Sequence, residues 1–213
     1  MPGMHDRFTF WGWSSDGARF AFETYMPGEG GVSCDMVHDV FVVDARTDDF
    51  AAEGRLSVGY DWPEGGPNGC QPPDLKGRVA VERPGFLAGH GITVGRLLAP
   101  EAMEAADQGF VASGESFTFE VLHGTDDAYG EAAAQGAAYR LVRTTGGLDQ
   151  VLEPGTRRRS YVLDYAPAWL FRSPDGVHAA VVVKREHSAF EGTRWSYMAN
   201  GFALSTSAGT ASP

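Results

Sequence analysis

The sequence is poor in basic residues. Its 213 residues include 17 Lys and Arg against 28 Asp and Glu, which gives a formal net charge of -11. Nucleic-acid partners require a basic surface that neutralises phosphates, so this balance argues against nucleic-acid binding. The one basic run, 157–159, precedes a predicted strand and indicates a solvated turn.

Long apolar runs are also missing. No stretch approaches the roughly 20 apolar residues that cross a bilayer, so we expect no membrane span. Residues 1–6 contain no hydrophobic signal-peptide core. This leaves two expectations, a cytoplasmic chain or an exported chain whose leader has been removed. The 43% of hydrophobic residues and 21% of charged residues are typical of a folded domain.

Cysteine is scarce. The two cysteines, Cys34 and Cys70, both lie in loop sequence rich in Gly and Pro. An even number of loop cysteines is compatible with one disulfide in an oxidising compartment. A second interpretation is a zinc site in which Cys34 and His38 are joined by Cys70 and His90. Zinc sites normally show paired short spacings, and only one is present here, so the disulfide is favoured.

Signatures of other metals and of cofactors are absent as well. The acidic pair 48–49 lacks the alternating oxygen ligands of a calcium loop and indicates a solvated turn. The glycines of 89–95 have the wrong spacing for a dinucleotide fingerprint, and no helix pattern follows them. The sequence therefore predicts neither a metal nor a cofactor.

Catalytic patterns are weak. No Gly-x-Ser-x-Gly nucleophile elbow occurs, which makes a serine hydrolase less expected but does not exclude one, because catalytic residues converge in space. Glu23 and Glu191 each follow a phenylalanine. They would form the acid and base of a glycan- or peptide-processing hydrolase if they faced one cleft. Salt-bridged glutamates, with Lys184 or Arg194 near one of them, are the plainer interpretation.

Glycine and proline, by contrast, are abundant. The 28 Gly and 12 Pro separate short apolar or alternating runs, as expected for many strands joined by turns. A helix is predicted at 100–108, where Pro100 begins the segment and a glycine ends it. The predicted strands are 8–13, 19–25, 39–44, 56–60, 78–82, 92–98, 116–122, 138–143, 159–165, 169–171, 179–184 and 195–204.

The chain contains one pair of related turns. Ser14-Ser15-Asp16-Gly17 and Ser173-Pro174-Asp175-Gly176 stand 159 positions apart, each between two predicted strands. A hydroxyl at the first position and glycine at the last are typical of a type I turn. The two ends of the chain therefore predict equivalent hairpins.

These turns carry a resemblance to a known repeat. Residues 13–23, followed by Asp-Val-Phe-Val-Val-Asp-Ala-Arg-Thr at 39–47, resemble a blade of the propellers of Tol-Pal translocation proteins and prolyl oligopeptidases. With the second turn and Phe-Glu-Gly at 190–192, the chain is similar to a bacterial family of uncharacterised predicted secreted proteins. The resemblance covers 8–60 and 160–204 and implies a periplasmic or extracellular location, with no known activity.

Two features depart from that repeat. Ser15 replaces the usual proline and Arg172 replaces the usual aromatic residue. A propeller also needs about four blades or more, and only two related turns are present. We therefore expect an all-β fold of two blade-like antiparallel sheets that form a sandwich or irregular barrel, with one or two short helices in the middle. The prediction is a single domain over 1–204, with lobes at 8–60 and 160–204, and a flexible tail at 205–213.

The sequence thus favours an exported, non-enzymatic protein that binds an unknown protein, peptide or carbohydrate. Loops 26–36 and 61–75 are the expected binding surface. Trp62, in the proline-rich loop, and the neighbouring Tyr60 are the aromatic binding candidates. The alternatives are the hydrolase that uses Glu23 and Glu191 and a structural component of a cell-envelope assembly.

Overall fold

The structure is a computed structural model. It describes residues 7–26, 36–60, 74–93, 99–123, 136–159, 162–189 and 192–204, with the side chains of 188, 189 and 192 left out. Within these ranges the chain forms three antiparallel sheets, none of them closed, and one helix. The prediction of an all-β protein is confirmed.

The strands follow chain order within each sheet. The first sheet contains β1 (Arg7–Trp13), β2 (Arg19–Met26), β3 (Met36–Asp44) and β4 (Asp49–Tyr60), and helix α1 (Leu75–Gly89) follows it. The middle sheet contains β5 (Glu104–Ala106), β6 (Gly109–Ala112), β7 (Glu115–Leu122), β8 (Ala138–Thr145) and β9 (Leu148–Pro154). The last sheet contains β10 (Val162–Arg172), β11 (His178–Ala189) and β12 (Gly192–Ala203).

The last sheet packs against both of the others. Five consecutive residues of β11, 179–183, are at most 1% exposed, because both faces of the strand are covered. The even-numbered residues join an apolar cluster around Phe10 and Phe20 of the first sheet. The odd-numbered residues join a cluster around Phe117 and Leu141 of the middle sheet. The core is therefore formed by side chains that alternate between two neighbouring sheets.

Helix α1 covers the other face of the first sheet. Leu75, Val79 and Leu87 are buried against Val40 and other residues of that face. The predicted strand at 78–82, with the turn after it, is wrong. Proline and glycine inside the segment argue locally against a helix, but the apolar side chains at helical spacing gain more from burial against the sheet. No helix within the described ranges is long and apolar enough to cross a membrane.

The helix predicted at 100–108 is also wrong. Residues 101–103 are not helical, and the N–H of Glu101 donates to the carbonyl of Leu170 at 2.9 Å. Its carboxylate accepts from Nε of Arg172 at 2.6 Å. The short strand β5 follows, so contacts with the last sheet outweigh the local helix signal.

Arg172 joins the middle and last sheets. Besides its bond to Glu101, its guanidinium donates to the carboxylate of Glu115, which also accepts from Arg143. Burial would raise the pKa of Glu115, but the two guanidiniums outweigh it and lower that pKa to about 2. The arginine that departs from the aromatic residue of the repeat therefore serves a cross-sheet ion network.

Two other predicted strands, 159–165 and 169–171, merge into the single strand β10. Its pairing with β11 shifts register between Pro167 and Trp169. Proline is tolerated in a strand at such an irregularity, which explains why the pattern suggested an interruption.

The first of the two related turns is held by a serine and an aspartate. Ser14 Oγ accepts from the N–H of Arg19 at 2.9 Å and donates to Asp16 Oδ1 at 2.5 Å. Asp16 Oδ1 in turn accepts from the N–H of Ala18 at 3.1 Å. The serine hydroxyl, followed by this backbone bond, lowers the pKa of Asp16.

The second turn repeats these bonds 159 positions later. Ser173 Oγ accepts from the N–H of His178 at 2.9 Å and donates to Asp175 Oδ1 at 2.5 Å. Asp175 Oδ1 accepts from the N–H of Val177 at 3.1 Å. The match continues beyond the turn. The N–H of Leu204 donates to the carbonyl of Val177, and 159 positions earlier the N–H of Ala45 donates to the carbonyl of Ala18. The prediction of equivalent hairpins is confirmed.

The two hairpins also touch. The rings of Phe10 and Phe171 stack with centroids 4.0 Å apart. A Cβ atom on Gly17 would lie 2.9 Å from Oδ1 of Asp175. The two turns therefore meet across the boundary between the first and last sheets.

Candidate functional site

Four residues singled out by the sequence lie outside the described residues. They are Cys34, Cys70, Trp62 and Glu191. The disulfide, the zinc alternative and the pairing of Glu191 with Glu23 therefore remain predictions. Most of loops 26–36 and 61–75 lies outside the described ranges as well.

Four other residues named in the sequence analysis, Glu23, His38, Tyr60 and His90, lie around α1, whereas Lys184 and Arg194 belong to β11 and β12. Tyr60, the last residue of β4, packs against the apolar cluster between the helix and the first sheet. His90 caps the C-terminal end of α1, and its ring lies 4.9 Å from that of Phe86. Among the described residues no group of three or more His, Cys, Asp or Glu side chains is arranged to hold a metal ion.

A groove of about 450 Å³ lies between the first and last sheets. We call it the intersheet groove and define it by Phe41, Phe50, Arg55, Arg157, Arg159 and Arg185. Phe50 is 59% exposed and stacks on Phe41, with ring centroids 5.2 Å apart. An exposed phenylalanine beside a cavity offers an apolar surface for a ligand.

Arginines from three separate segments line this groove. Arg55 belongs to β4, Arg157 and Arg159 to the loop after β9, and Arg185 to β11. This cluster lies in a protein whose net charge is -11. Guanidinium groups bind carboxylates and phosphates through paired hydrogen bonds, so the groove offers an anion-binding wall beside an apolar one.

Two of these arginines are positioned by aspartates. Arg55 donates to Asp39 through Nε and Nη2 at 3.1 and 3.2 Å. Arg157 donates to Asp48 at 2.9 Å. The side chains of Arg55 and Arg157 are still 54% and 52% exposed, respectively. Each guanidinium is therefore oriented from one side and open to solvent on the other.

The sequence did not identify this groove. The sequence predicts a solvated turn at 157–159 and another at 48–49. Arg157 is indeed half exposed, but it pairs with Asp48, whose side chain is only 12% exposed. That interpretation of Asp48 is wrong, because the residue is docked against β12. Three consecutive arginines in an acidic chain were the one available signal.

A second cavity lies on the opposite face of the first sheet, beneath α1. It has a volume of about 310 Å³, and we call it the helix pocket, defined by Arg7, Glu23, His38, Lys76 and Arg83. Glu23 sits in its wall and accepts from Nη1 of Arg83 at 2.9 Å. Nε2 of His38 lies 2.5 Å from the other carboxylate oxygen.

Glu23 has a third donor. Nε1 of Trp11 lies 3.0 Å from Oε2, the oxygen that also binds Arg83. The guanidinium of Arg83 lies 4.1 Å from the centroid of the Trp11 ring, so the arginine is held from two directions. A bulge between Phe10 and Gly12 allows Trp11 to face the helix while Trp13 joins the opposite cluster.

The structure also brings a serine and a histidine together. Ser196 Oγ lies 2.5 Å from Nε2 of His187 and accepts from Nε of Arg185 at 2.8 Å. In the tautomer that carries its proton on Nδ1, His187 accepts from the hydroxyl through Nε2. This is the contact of a nucleophile and its base, but Ser196 is only 4% exposed. The pair as folded leaves a substrate no access to the hydroxyl.

His187 is expected to make stability depend on pH. Burial, followed by the nearby Arg185 and Arg194, lowers its pKa from 6.5 to about 4. The unfolded chain then binds the proton first, so stability falls as the pH falls from 6.5 to about 4. Allowing for solvent screening of a half-buried group, we expect a loss of about 1–2 kcal/mol.

Urea denaturation at pH 7 and at pH 4.5 measures this loss. His187→Gln should reduce the difference between the two pH values, because the titrating group is gone. The exposed His123 provides the matched control, and His123→Gln should leave the difference unchanged. Equal pH dependence in wild type and His187→Gln would contradict the assignment.

Both cavities flank the first sheet and neither contains an arrangement that identifies a reaction. Comparison with known proteins adds no identity, since no family model, no curated protein and no solved structure gives a significant match to this chain.

Proposed function

We propose that this protein is a non-enzymatic binding module and that its intersheet groove binds an acidic peptide segment. The observation that carries the proposal is the convergence of four arginines beside the exposed Phe50 in a chain of net charge -11. A ligand that carries a carboxylate next to an aromatic or apolar group matches both walls of the groove.

The charge of the groove supports this ligand class. Its four arginines stand against three aspartates, Asp39, Asp48 and Asp49, so the lining has a small positive excess. The chain as a whole carries a net charge of -11, so surfaces without such a cluster of cations repel anions. Specificity for an acidic segment then comes from paired hydrogen bonds to exposed guanidiniums, whereas Phe41 and Phe50 supply the apolar contact.

We also infer an exported protein built from two blade-like units of an incomplete propeller. The repeated turn bonds and the contact between the two turns support related units. The resemblance to predicted secreted proteins and the loop cysteines Cys34 and Cys70 support the location.

Binding is tested by NMR titration of the whole chain with the dipeptide acetyl-Phe-Glu and with uncharged acetyl-Phe-Gln amide. We expect the acidic dipeptide to shift the amide signals of Arg55, Arg185 and Tyr197. The uncharged counterpart should bind about tenfold more weakly, since it lacks the charge-assisted hydrogen bonds.

Two variants sharpen the test. Arg55→Gln should weaken binding of the acidic dipeptide about tenfold. Arg78→Gln removes an exposed arginine of α1, outside the groove, and should leave affinity unchanged. Equal binding of the acidic and uncharged dipeptides, or no shift in the groove at millimolar ligand, would overturn the proposal.

A further inference from the structure

The helix pocket has an excess of positive charge that its own residues do not neutralise. Its wall contains three permanent cations, Arg7, Lys76 and Arg83, and one carboxylate, Glu23. Glu23 already accepts from Arg83 and two other donors. Among the described residues no carboxylate forms an ion pair with Arg7 or Lys76. The pocket therefore has a local excess of two positive charges in an acidic protein.

Two of these cations are held in place by aromatic rings. Nζ of Lys76 lies 4.6 Å from the centroid of Tyr25, and the guanidinium of Arg83 lies over Trp11. Cation–π contacts of this kind stabilise a side chain by about 0.5–1 kcal/mol at an exposed site. They reduce the entropy that the lysine and arginine lose when a ligand binds.

One buried polar atom in the wall is unsatisfied. Nδ1 of His38 is buried and has no hydrogen-bond partner within the described part of the chain, although Nε2 contacts Glu23. A buried group without a partner costs about 1–3 kcal/mol. Because the atom is buried, a ligand or water supplies the missing partner, and recovers part of that cost, only if the side chains around His38 move.

We propose that the helix pocket binds a phosphate-type dianion, either inorganic phosphate or the phosphate group of a small molecule. Phosphate carries about 1.5–2 negative charges at neutral pH, which approaches the excess of two positive charges in the pocket. Its several oxygens accept from guanidinium and ammonium donors at once, whereas a carboxylate has half the charge and two oxygens. The site lies on the opposite face of the first sheet from the intersheet groove, so it does not depend on the function proposed for that groove.

The proposal is tested by NMR titration of the whole chain with inorganic phosphate, glycerol 3-phosphate and acetate at constant ionic strength. We expect both phosphates to shift the signals of Lys76, Arg83 and the His38 ring, with a dissociation constant of about 1 mM or below. Tighter binding of glycerol 3-phosphate identifies a phosphate ester as the preferred form, and tighter binding of inorganic phosphate identifies the free ion. Acetate should bind at least about tenfold more weakly.

Lys76→Gln removes an exposed cation from the pocket and should weaken phosphate binding about tenfold. The control is Arg78→Gln, on the same helix but outside the pocket lining, which should change affinity less than about twofold. Acetate that binds as tightly as phosphate, or a Lys76→Gln variant with unchanged affinity, would overturn the proposal. If phosphate shifted only signals of the intersheet groove, the phosphate site in the helix pocket would be overturned as well. That result would not contradict the peptide binding proposed for the groove.

Discussion

Replacing Gly201 with alanine is expected to lower the free energy of unfolding by about 3 kcal/mol. A Cβ atom at this position would lie 2.6 Å from Cα of Ala45 and 2.9 Å from Cε1 of Phe20. The first of these is a backbone atom, so the clash is not relieved by rotating a side chain. Strand β12 would have to move away from the first sheet, which would weaken the bond from the Gly201 N–H to Asp48 at 2.7 Å.

Gly59 is the matched control for this substitution. It is also a strand glycine, and the nearest atom to its added Cβ would be the carbonyl oxygen of Met36 at 3.7 Å, an ordinary contact. Gly59→Ala should change stability by no more than about 0.5 kcal/mol. Urea denaturation of both variants measures the difference. A Gly201→Ala variant as stable as Gly59→Ala would show that the two sheets are not packed this closely.

Local sequence rules predict the parts of the fold that depend on neighbouring residues. The two Ser-x-Asp-Gly turns are formed by bonds within six residues, and the strands beside them alternate in hydrophobicity. The continuous apolar run at 39–44 correctly indicates a strand covered on both faces, since Val40 and Val42 face α1 while Val43 faces the last sheet. These features need no knowledge of the rest of the chain.

Local sequence rules do not predict features that depend on partners distant in sequence. The helix at 75–89 contains Pro84 and several glycines, which argue against a helix when read locally. What stabilises it is the first sheet, whose apolar face includes Trp11 of β1, 64 residues before the first residue of the helix. The segment at 100–108 is the opposite case. Its composition favours a helix, but hydrogen bonds of Glu101 with Leu170 and Arg172 stabilise a non-helical conformation.

The candidate sites follow the same logic. The arginines of the intersheet groove are residues 55, 157, 159 and 185, and only the run 157–159 is conspicuous in its own segment. The sequence singles out Glu23, but the three donors to its carboxylate, on β1, β3 and α1, are not adjacent in sequence. Each cavity is lined by side chains from separate elements, and only the packing of these elements brings the side chains together. The local sequence around any one of these residues therefore does not predict the cavity.

Asp48 joins the first sheet to the last, so its replacement tests how these two sheets pack. Asp48→Ala is expected to lower the free energy of unfolding by about 2–4 kcal/mol. Its carboxylate accepts from Nδ2 of Asn200 at 2.6 Å and from the N–H of Gly201 at 2.7 Å, in addition to Arg157. Asn200 is 4% exposed and also accepts from the hydroxyl of Tyr139 at 2.6 Å. Without the carboxylate, buried donors from the last sheet lose their acceptor.

Backbone strain adds to this loss. Asp48 has a φ of 57°, a left-handed conformation that aspartate and asparagine tolerate better than alanine. Asp48→Asn keeps that tolerance and one acceptor oxygen, so it should lose about half as much stability as Asp48→Ala. The difference between the two variants then includes the strain, which is about 1 kcal/mol.

The neighbouring aspartate is the control. Asp49 is exposed at the start of β4, and Asp49→Ala should change stability by no more than about 0.5 kcal/mol. A double-mutant cycle of Asp48→Ala with Asn200→Ala, followed by urea denaturation, should give a coupling energy above about 1 kcal/mol. If Asp48→Ala and Asp49→Ala were equally mild, or the cycle were additive, Asp48 would not join the first sheet to the last. Arg157, which Asp48 holds at the rim of the intersheet groove, would then have to be positioned by other contacts.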